Sequence, residues 1–328
     1  MSKITIDMIN VEKGDAYVVE LHNETGDKFS FVIDGGTREK SDAVIAHVNK
    51  YHNGQVNLAI CTHPDTDHIG GLIALMEQCS VGHLFLNDPR DILPEATLLQ
   101  RARNHLTPEE VSVFKSAFER IDELKEQAAY QNTTHHQTTF SSNQPRFVWG
   151  GWSVYILGPS ENLFRDIWLN EDVVRDWFSS DTVDALVSTQ PFTSVLDDPS
   201  IDTKPVNNSS IILLIEGYGR KYLFTGDAGK RALRDAMAVK DIKDLTWFDV
   251  PHHGSRRNLD TQIINHLAPQ VAYISSPGTT KHPRKTVIRA LQKAGTAVYS
   301  TCKHGSICQG DWQSRPDYSA IGAPWEQQ

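Results

Sequence analysis

Four apolar runs of β character each stop on a cluster of aspartate or histidine. They are "FVIDGG" at Asp34, "LAICTHPDTDH" at His63 to His68, "LFTGD" at Asp227 and "WFDVPHHGS" at His252 to Ser255. A rigid strand aims the residue that follows it, so strands ending this way deliver their loops to one crevice. A single His or Asp at a strand end says little. Four such clusters, rich in His and Asp and poor in Lys and Arg, point to a site for two metal ions. His63, Asp65, Asp67 and His68 crowd like charges within six residues, which only a cation offsets. Carboxylates and imidazoles without a thiolate suit zinc, manganese or iron.

The segments between these clusters set the class. "KITIDMI", "AYVVELH", "FSFVIDGG", "VNLAICT" and "VGHLFLND" read as strands, while "SDAVIAHVNKYH" and "IGGLIALMEQ" have helical spacing. The same alternation returns from "SSIILLIEG" to "AVYSTC", so two similar α/β halves flank a variable middle. Residues 90 to 135 turn helical, with Phe114, Phe118, Ile121 and Ala128 on one face that packs on the main body. "NTTHHQTTFSSNQ" reads as a polar link with solvated His135 and His136, and 161 to 203 as helical and then irregular.

Composition excludes several classes. With 328 residues, 39% of them hydrophobic, the chain can bury a sizeable core, and its net charge of −9 argues against a general nucleic-acid coat. No run reaches the roughly 20 apolar residues that span a bilayer, and the start lacks a signal-peptide pattern, so no membrane role and a cytoplasmic location are expected. Cys61, Cys79, Cys302 and Cys308 fit no zinc-ribbon spacing and read as reduced thiols.

"THPDTDHIGGL" resembles the H-x-H-x-D-H loop of the metallo-β-lactamase superfamily, with aspartate at its second histidine. "LFTGD" and "VPHHGS" resemble that superfamily's bridging-aspartate and last-histidine motifs. The order "MINVEKGDA", "VIDGG", "HPDTDHIGG", "NNSSIILL", "LFTGD", "VPHHGS", "KHP" and "STCKHGSI" is similar to the hydrolase domain of ComEC-type DNA-uptake proteins and their free-standing relatives. The resemblance covers residues 4 to 310. It implies a four-layer αββα metallo-β-lactamase sandwich with a helical insertion, as one domain over 1–328 with insertions at about 90–145 and 161–203.

It also implies roles. His63 and Asp65 would bind one of two divalent ions (zinc or manganese), Asp67 and His68 the other, and Asp227 would bridge them. The last histidine falls on His252 or His253, with His253 favoured as ligand and His252 as proton carrier. Asn207 or Asn208 stands where a histidine is usual, and Asn208 is assigned to substrate. Oxygen-richer ligands shift preference toward manganese or magnesium. Asp67 or His252 would relay the proton and His282 would reach the leaving group. Lys281 and Arg284 would supply positive charge, and Ser255 would hold an oxyanion. Asp34 would orient a ligand histidine, and Asp15 would do the same or simply shape a turn.

The implied function is a metal-dependent phosphodiesterase or nuclease acting on DNA. The rivals are a hydrolase of a small nucleotide or phosphodiester, and an inert metal-binding module. The latter would dock a protein partner through Trp168, Trp177, Phe178, Phe192 and "SVLDDPSIDTKP".

Overall fold

The computed structural model describes residues 3–136, 139–170, 196–198, 201–279 and 281–310. The chain opens as an antiparallel meander of β1 (Lys3–Met8), β2 (Tyr17–His22) and β3 (Lys28–Ile33). Helix α1 (Asp42–His52) then carries it to β4 (Gln55–Ile60), and α2 (Thr66–Gln78) to β5 (Ser80–Phe85). After α3 (Glu95–His105) and α4 (Pro108–Tyr130) comes β6 (Thr134–His136), and β3 to β6 pair in parallel. The second half repeats the scheme. Antiparallel β7 (Phe147–Trp149), β8 (Trp152–Gly158), β9 (Ile212–Gly217) and β10 (Arg220–Phe224) lead into parallel β11 (Trp247–Asp249), β12 (Val271–Ile274) and β13 (Ala297–Ser300). Helix α5 (Glu161–Leu169) follows β8, while α6 (Lys230–Val239), α7 (Thr261–Leu267) and α8 (Lys285–Lys293) make the later crossovers. A last strand, β14 (Ile307–Gly310), returns to pair with β1.

The result is two seven-stranded sheets, in the orders β14-β1-β2-β3-β4-β5-β6 and β13-β12-β11-β10-β9-β8-β7. Ile6, Phe31, Trp152, Phe224, Trp247 and Tyr273 pack between them. Outside, Val48, Leu72 and Leu75 cover one sheet, and Leu233, Ile264, Val287 and Leu291 the other. These are the four layers αββα. Each large apolar side chain so buried contributes about 1.5–3 kcal/mol. No helix among the described residues is long and apolar enough to cross a membrane.

Two expectations change. His135 and His136 are not solvated loop residues: both lie in β6, and His136 Nε2 is 3.2 Å from His83 Nδ1. Trp168 is no docking residue, because it is 1% exposed and packs on Phe114, Phe118 and Phe164. Trp177, Phe178 and Phe192 lie outside the described residues. Helix α4 packs on the main body as its stripe predicts, burying Phe114, Phe118, Ile121 and Ala128.

Candidate metal centre

All four clusters sit at strand ends on one edge of the sandwich. Helix α2 begins inside the second cluster: Asp65 is its N-cap residue, and the backbone N–H groups of His68 and Ile69 both donate to the Asp65 carbonyl at 3.0 Å. The positive end of a helix favours carboxylates there, which suits Asp65 and Asp67. Two glycines permit the approach of the neighbouring loops. A Cβ on Gly71 would lie 1.8 Å from the Gly35 carbonyl oxygen, and one on Gly14 1.6 Å from that of Asp67. Only glycine fits either place.

Asp227 stands at the centre. Its Oδ2 lies 3.7 Å from His63 Nε2 and 3.6 Å from His252 Nε2, while its Oδ1 lies 3.5 Å from His68 Nε2. Asp65 Oδ2 is 3.8 Å from His63 Nε2, and Asp67 Oδ2 is 3.9 Å from His253 Nε2. Ligand atoms on one ion, at bonds of about 2.1 Å and tetrahedral angles, are separated by about 3.4 Å. The ligand atoms of His63, His68 and Asp227 lie within 4.8 Å of one another, and so do those of Asp67, His68 and His253. Asp65 and His252 belong to no such group, and Asp65 is the more exposed carboxylate.

The donor set fits divalent ions on a second count. His63 Nε2, His68 Nε2 and Asp227 Oδ1 are buried without a hydrogen-bond partner, a costly arrangement unless something else binds them. Charge agrees. Burial opposes the charged form of His68, yet Asp227, Asp34 and Asp15 outweigh it and hold its pKa well above the ordinary value. Burial likewise opposes the charge on His253, but the hydrogen bond and charge of Asp15 push it up to about 9. Protons on these imidazoles answer the field of the surrounding carboxylates, the field a divalent cation would neutralise.

Around these side chains lies a supporting ring. Asp34 Oδ2 accepts from His68 Nδ1 at 2.8 Å and from Thr62 Oγ1 at 2.6 Å, and Thr62 Oγ1 is 3.0 Å from His63 Nδ1. Asp34 therefore orients two histidines at once. Asp15 is more than a turn residue: it is buried, with Oδ1 3.4 Å from His253 Nδ1 and Oδ2 4.0 Å from His68 Nδ1. His253 Nδ1 also donates to the Ser275 carbonyl at 3.1 Å.

His252 and His253 both adopt left-handed backbone, at φ 50° and 57°, followed by Gly254 at 77°. Such a run in non-glycine residues costs on the order of 1–2 kcal/mol each. It turns adjacent side chains toward the same edge, which an extended strand cannot do. His252 Nδ1 is held by Thr203 Oγ1 and Asn207 Nδ2, both at 3.2 Å. Burial, His253 and His282 push the His252 pKa well below the ordinary value, leaving a neutral imidazole.

The two asparagines divide differently from the expectation. Asn208 turns away: its Oδ1 accepts from the backbone N–H of Gly229 at 2.9 Å and of Ala232 at 3.3 Å, at the start of α6. Asn207 faces the site, donating to Asp227 Oδ2 at 3.3 Å. Beside the cluster opens a cleft of about 90 Å3, lined by Asp65, Asn207, His252, Ser255 and His282. Lys204, Arg256, Arg257, Lys281 and Arg284 give its wall a positive charge. Among the described residues, Lys13 adds another cation, 3.4 Å from Asp67 Oδ2.

Residues 9–139 match the family model for the metallo-beta-lactamase superfamily. ComE operon protein 3 of Bacillus subtilis is 29% identical over 134 residues, 40% of this chain and 17% of that protein. Recombination protein 2 of Haemophilus influenzae is 26% identical over 123 residues, 37% of this chain and 15% of that protein. The matches thus span under a fifth of either relative's length. A metallo-beta-lactamase from Cronobacter sakazakii superposes with a TM-score of 0.36 at 11% identity, covering 88% of this chain and 90% of that one.

Proposed function

Because the chain belongs to the metallo-β-lactamase superfamily, on its competence-related branch, we propose that it is a metal-dependent hydrolase of phosphodiesters, with a nuclease as the leading form. The observation that carries the reading is the pairing of two features on one edge. Asp227 presents each carboxylate oxygen to a different imidazole set, and a cationic cleft opens beside it. A thioester or β-lactam has no use for five cations on one wall; a phosphodiester flanked by further phosphates does.

In this reading His63 and Asp65 would hold one divalent ion and Asp67, His68 and His253 the other, with Asp227 shared between them. Zinc or manganese ions held there supply the Lewis acidity that makes water a nucleophile near neutral pH and screens phosphate charge. The protein does the rest. Thr203 and Asn207 fix His252 with Nε2 toward Asp227, where a neutral imidazole at the cleft mouth takes up the nucleophile's proton. His282, with its ring 5.4 Å from that of His252, faces the leaving side. Lys281 and Ser255, which line the cleft, hold phosphate oxygens. Asn207 takes the place given to Asn208 in contacting the site.

A small nucleotide is the second reading, favoured by the narrowness of the cleft. One experiment tests both. The purified chain is analysed for metal, then assayed with manganese and with zinc on bis-p-nitrophenyl phosphate, single- and double-stranded DNA, RNA and cyclic nucleotides. We expect two ions per chain and metal-dependent cleavage of a phosphodiester. Full metal loading with no hydrolysis of any of them would sink the enzymatic reading and favour an inert docking module.

A further inference from the structure

The helical insertion reaches the metal loop through one side chain. Arg120, on α4, donates from Nε to the Pro64 carbonyl at 3.0 Å, and its Nη1 donates to Ser116 Oγ, one turn earlier, at 3.0 Å. Pro64 is the residue between His63 and Asp65. Its carbonyl belongs to the peptide joining Pro64 to Asp65, so whatever grips it fixes the turn between the two side chains. Proline has no N–H to donate at position 64, so the carbonyl is the polar backbone group by which this residue can be held.

The grip is rigid at its other end. On α4, Phe118 and Ile121 flank Arg120 in sequence and are buried in the core with Leu72 and Leu75 of α2. Glu123 bonds Arg38, which also bonds Glu77 of α2. Gln131, just past α4, accepts from the Val81 N–H at 2.8 Å and donates to the Met76 carbonyl at 2.5 Å. The helix is thereby fastened on both sides of Arg120. The guanidinium also feels the charges of Asp65 and Asp67.

We infer that Arg120 is a positioning residue for the first metal ion: by holding the Pro64 carbonyl it sets His63 and Asp65 at one ion, and its charge offsets the Asp65 carboxylate between ion-binding events. The inference rests on the two-ion reading proposed above. It also assigns the insertion a task, as the outer brace of the metal loop.

The test compares Arg120→Met, which keeps the apolar stem, with Arg120→Lys, which keeps charge and one donor. Stepwise manganese and zinc affinities are measured by competition with a chromogenic chelator, alongside ion-free melting temperatures. Wild-type protein is expected to bind two ions. Arg120→Met should weaken one step about ten- to a hundredfold, the usual effect of removing a group that orients a ligand, and leave the other step unchanged. Arg120→Lys should recover most of the loss, and the ion-free melting temperature should hold. Two unchanged steps in Arg120→Met would overturn the inference. So would equal weakening of both steps with a lowered ion-free melting temperature, the sign of a merely structural anchor. Wild-type protein that binds fewer than two ions would instead overturn the two-ion reading itself, and this inference with it.

Discussion

At the residue scale the decisive pair is His252 and His253, neighbours whose shared left-handed backbone lets both rings face Asp227 and Asp67. Their surroundings separate their roles. His253 is locked between Ser275 and Asp15 with Nε2 toward Asp67, whereas His252 opens onto the cleft. His253→Ala should therefore lose metal, while His252→Ala keeps it and loses on the order of a hundredfold in turnover. Equal metal loss in both, read by elemental analysis, would reverse that division. Asp227→Ala should lower metal stoichiometry and the melting temperature of the loaded protein together. An ion present at 100 times its Kd contributes about 2.7 kcal/mol, which thermal denaturation with and without chelator can read. Asp65→His should move metal preference toward zinc, and identical metal titrations in both proteins would remove Asp65 from the ligand set. The convergence of His63, His68, Asp227 and His253 was legible because each follows an apolar strand in the sequence. Asn207 against Asn208 was not, since their difference is one step of a 3-10 turn, Pro205–Ser209, that no hydrophobic period announces.

At the element scale, α4 is the segment whose place the sequence left open. Its apolar stripe foretold packing, but its polar anchors pair residues tens of positions apart, and no local pattern reveals them. Strand β14 escaped notice for a related reason: four residues, among them Gln309 and Gly310, become a strand only because β1 offers an edge. One α4 anchor makes a pH-dependent prediction. Asp88 is buried and accepts from Arg90 and from Lys125 of α4. Burial raises its pKa, but these hydrogen bonds outweigh burial and hold it below the ordinary 3.8. A depressed carboxylate contributes its stability above the ordinary value and loses it as pH falls through the lower, folded value. Asp88→Asn should thus cost about 2–3 kcal/mol at pH 7, with the gap to wild type narrowing below about pH 4. Urea unfolding at a series of pH values measures it, and a gap independent of pH would mean that the carboxylate charge contributes nothing.

At the scale of the whole molecule, a chain of net charge −9 carries a concentrated positive wall beside its cluster of aspartates and histidines. The overall charge repels a polyanion at long range, and the field of the cleft dominates only within about a Debye length, about 8 Å at physiological salt. Binding of a nucleic-acid strand should then be local and steeply salt-dependent. Each phosphate neutralised adds about 0.7 to the slope of log affinity against log salt for a single strand. A small diester such as bis-p-nitrophenyl phosphate engages only the metal centre with Ser255 and Lys281 beside it, has no flanking phosphates, and should show a much shallower slope. Lys204→Glu and Arg256→Glu lie on the cleft wall and leave the His and Asp cluster intact. Each should raise KM for a single-stranded oligonucleotide severalfold and flatten its salt slope by about one phosphate's worth, while kcat and the small-diester KM stay near wild type. The measurement is KM for both substrates between 50 and 200 mM salt in the three proteins. If the oligonucleotide and the small diester share one shallow slope, the cleft holds no flanking phosphate, and the small-substrate reading takes precedence.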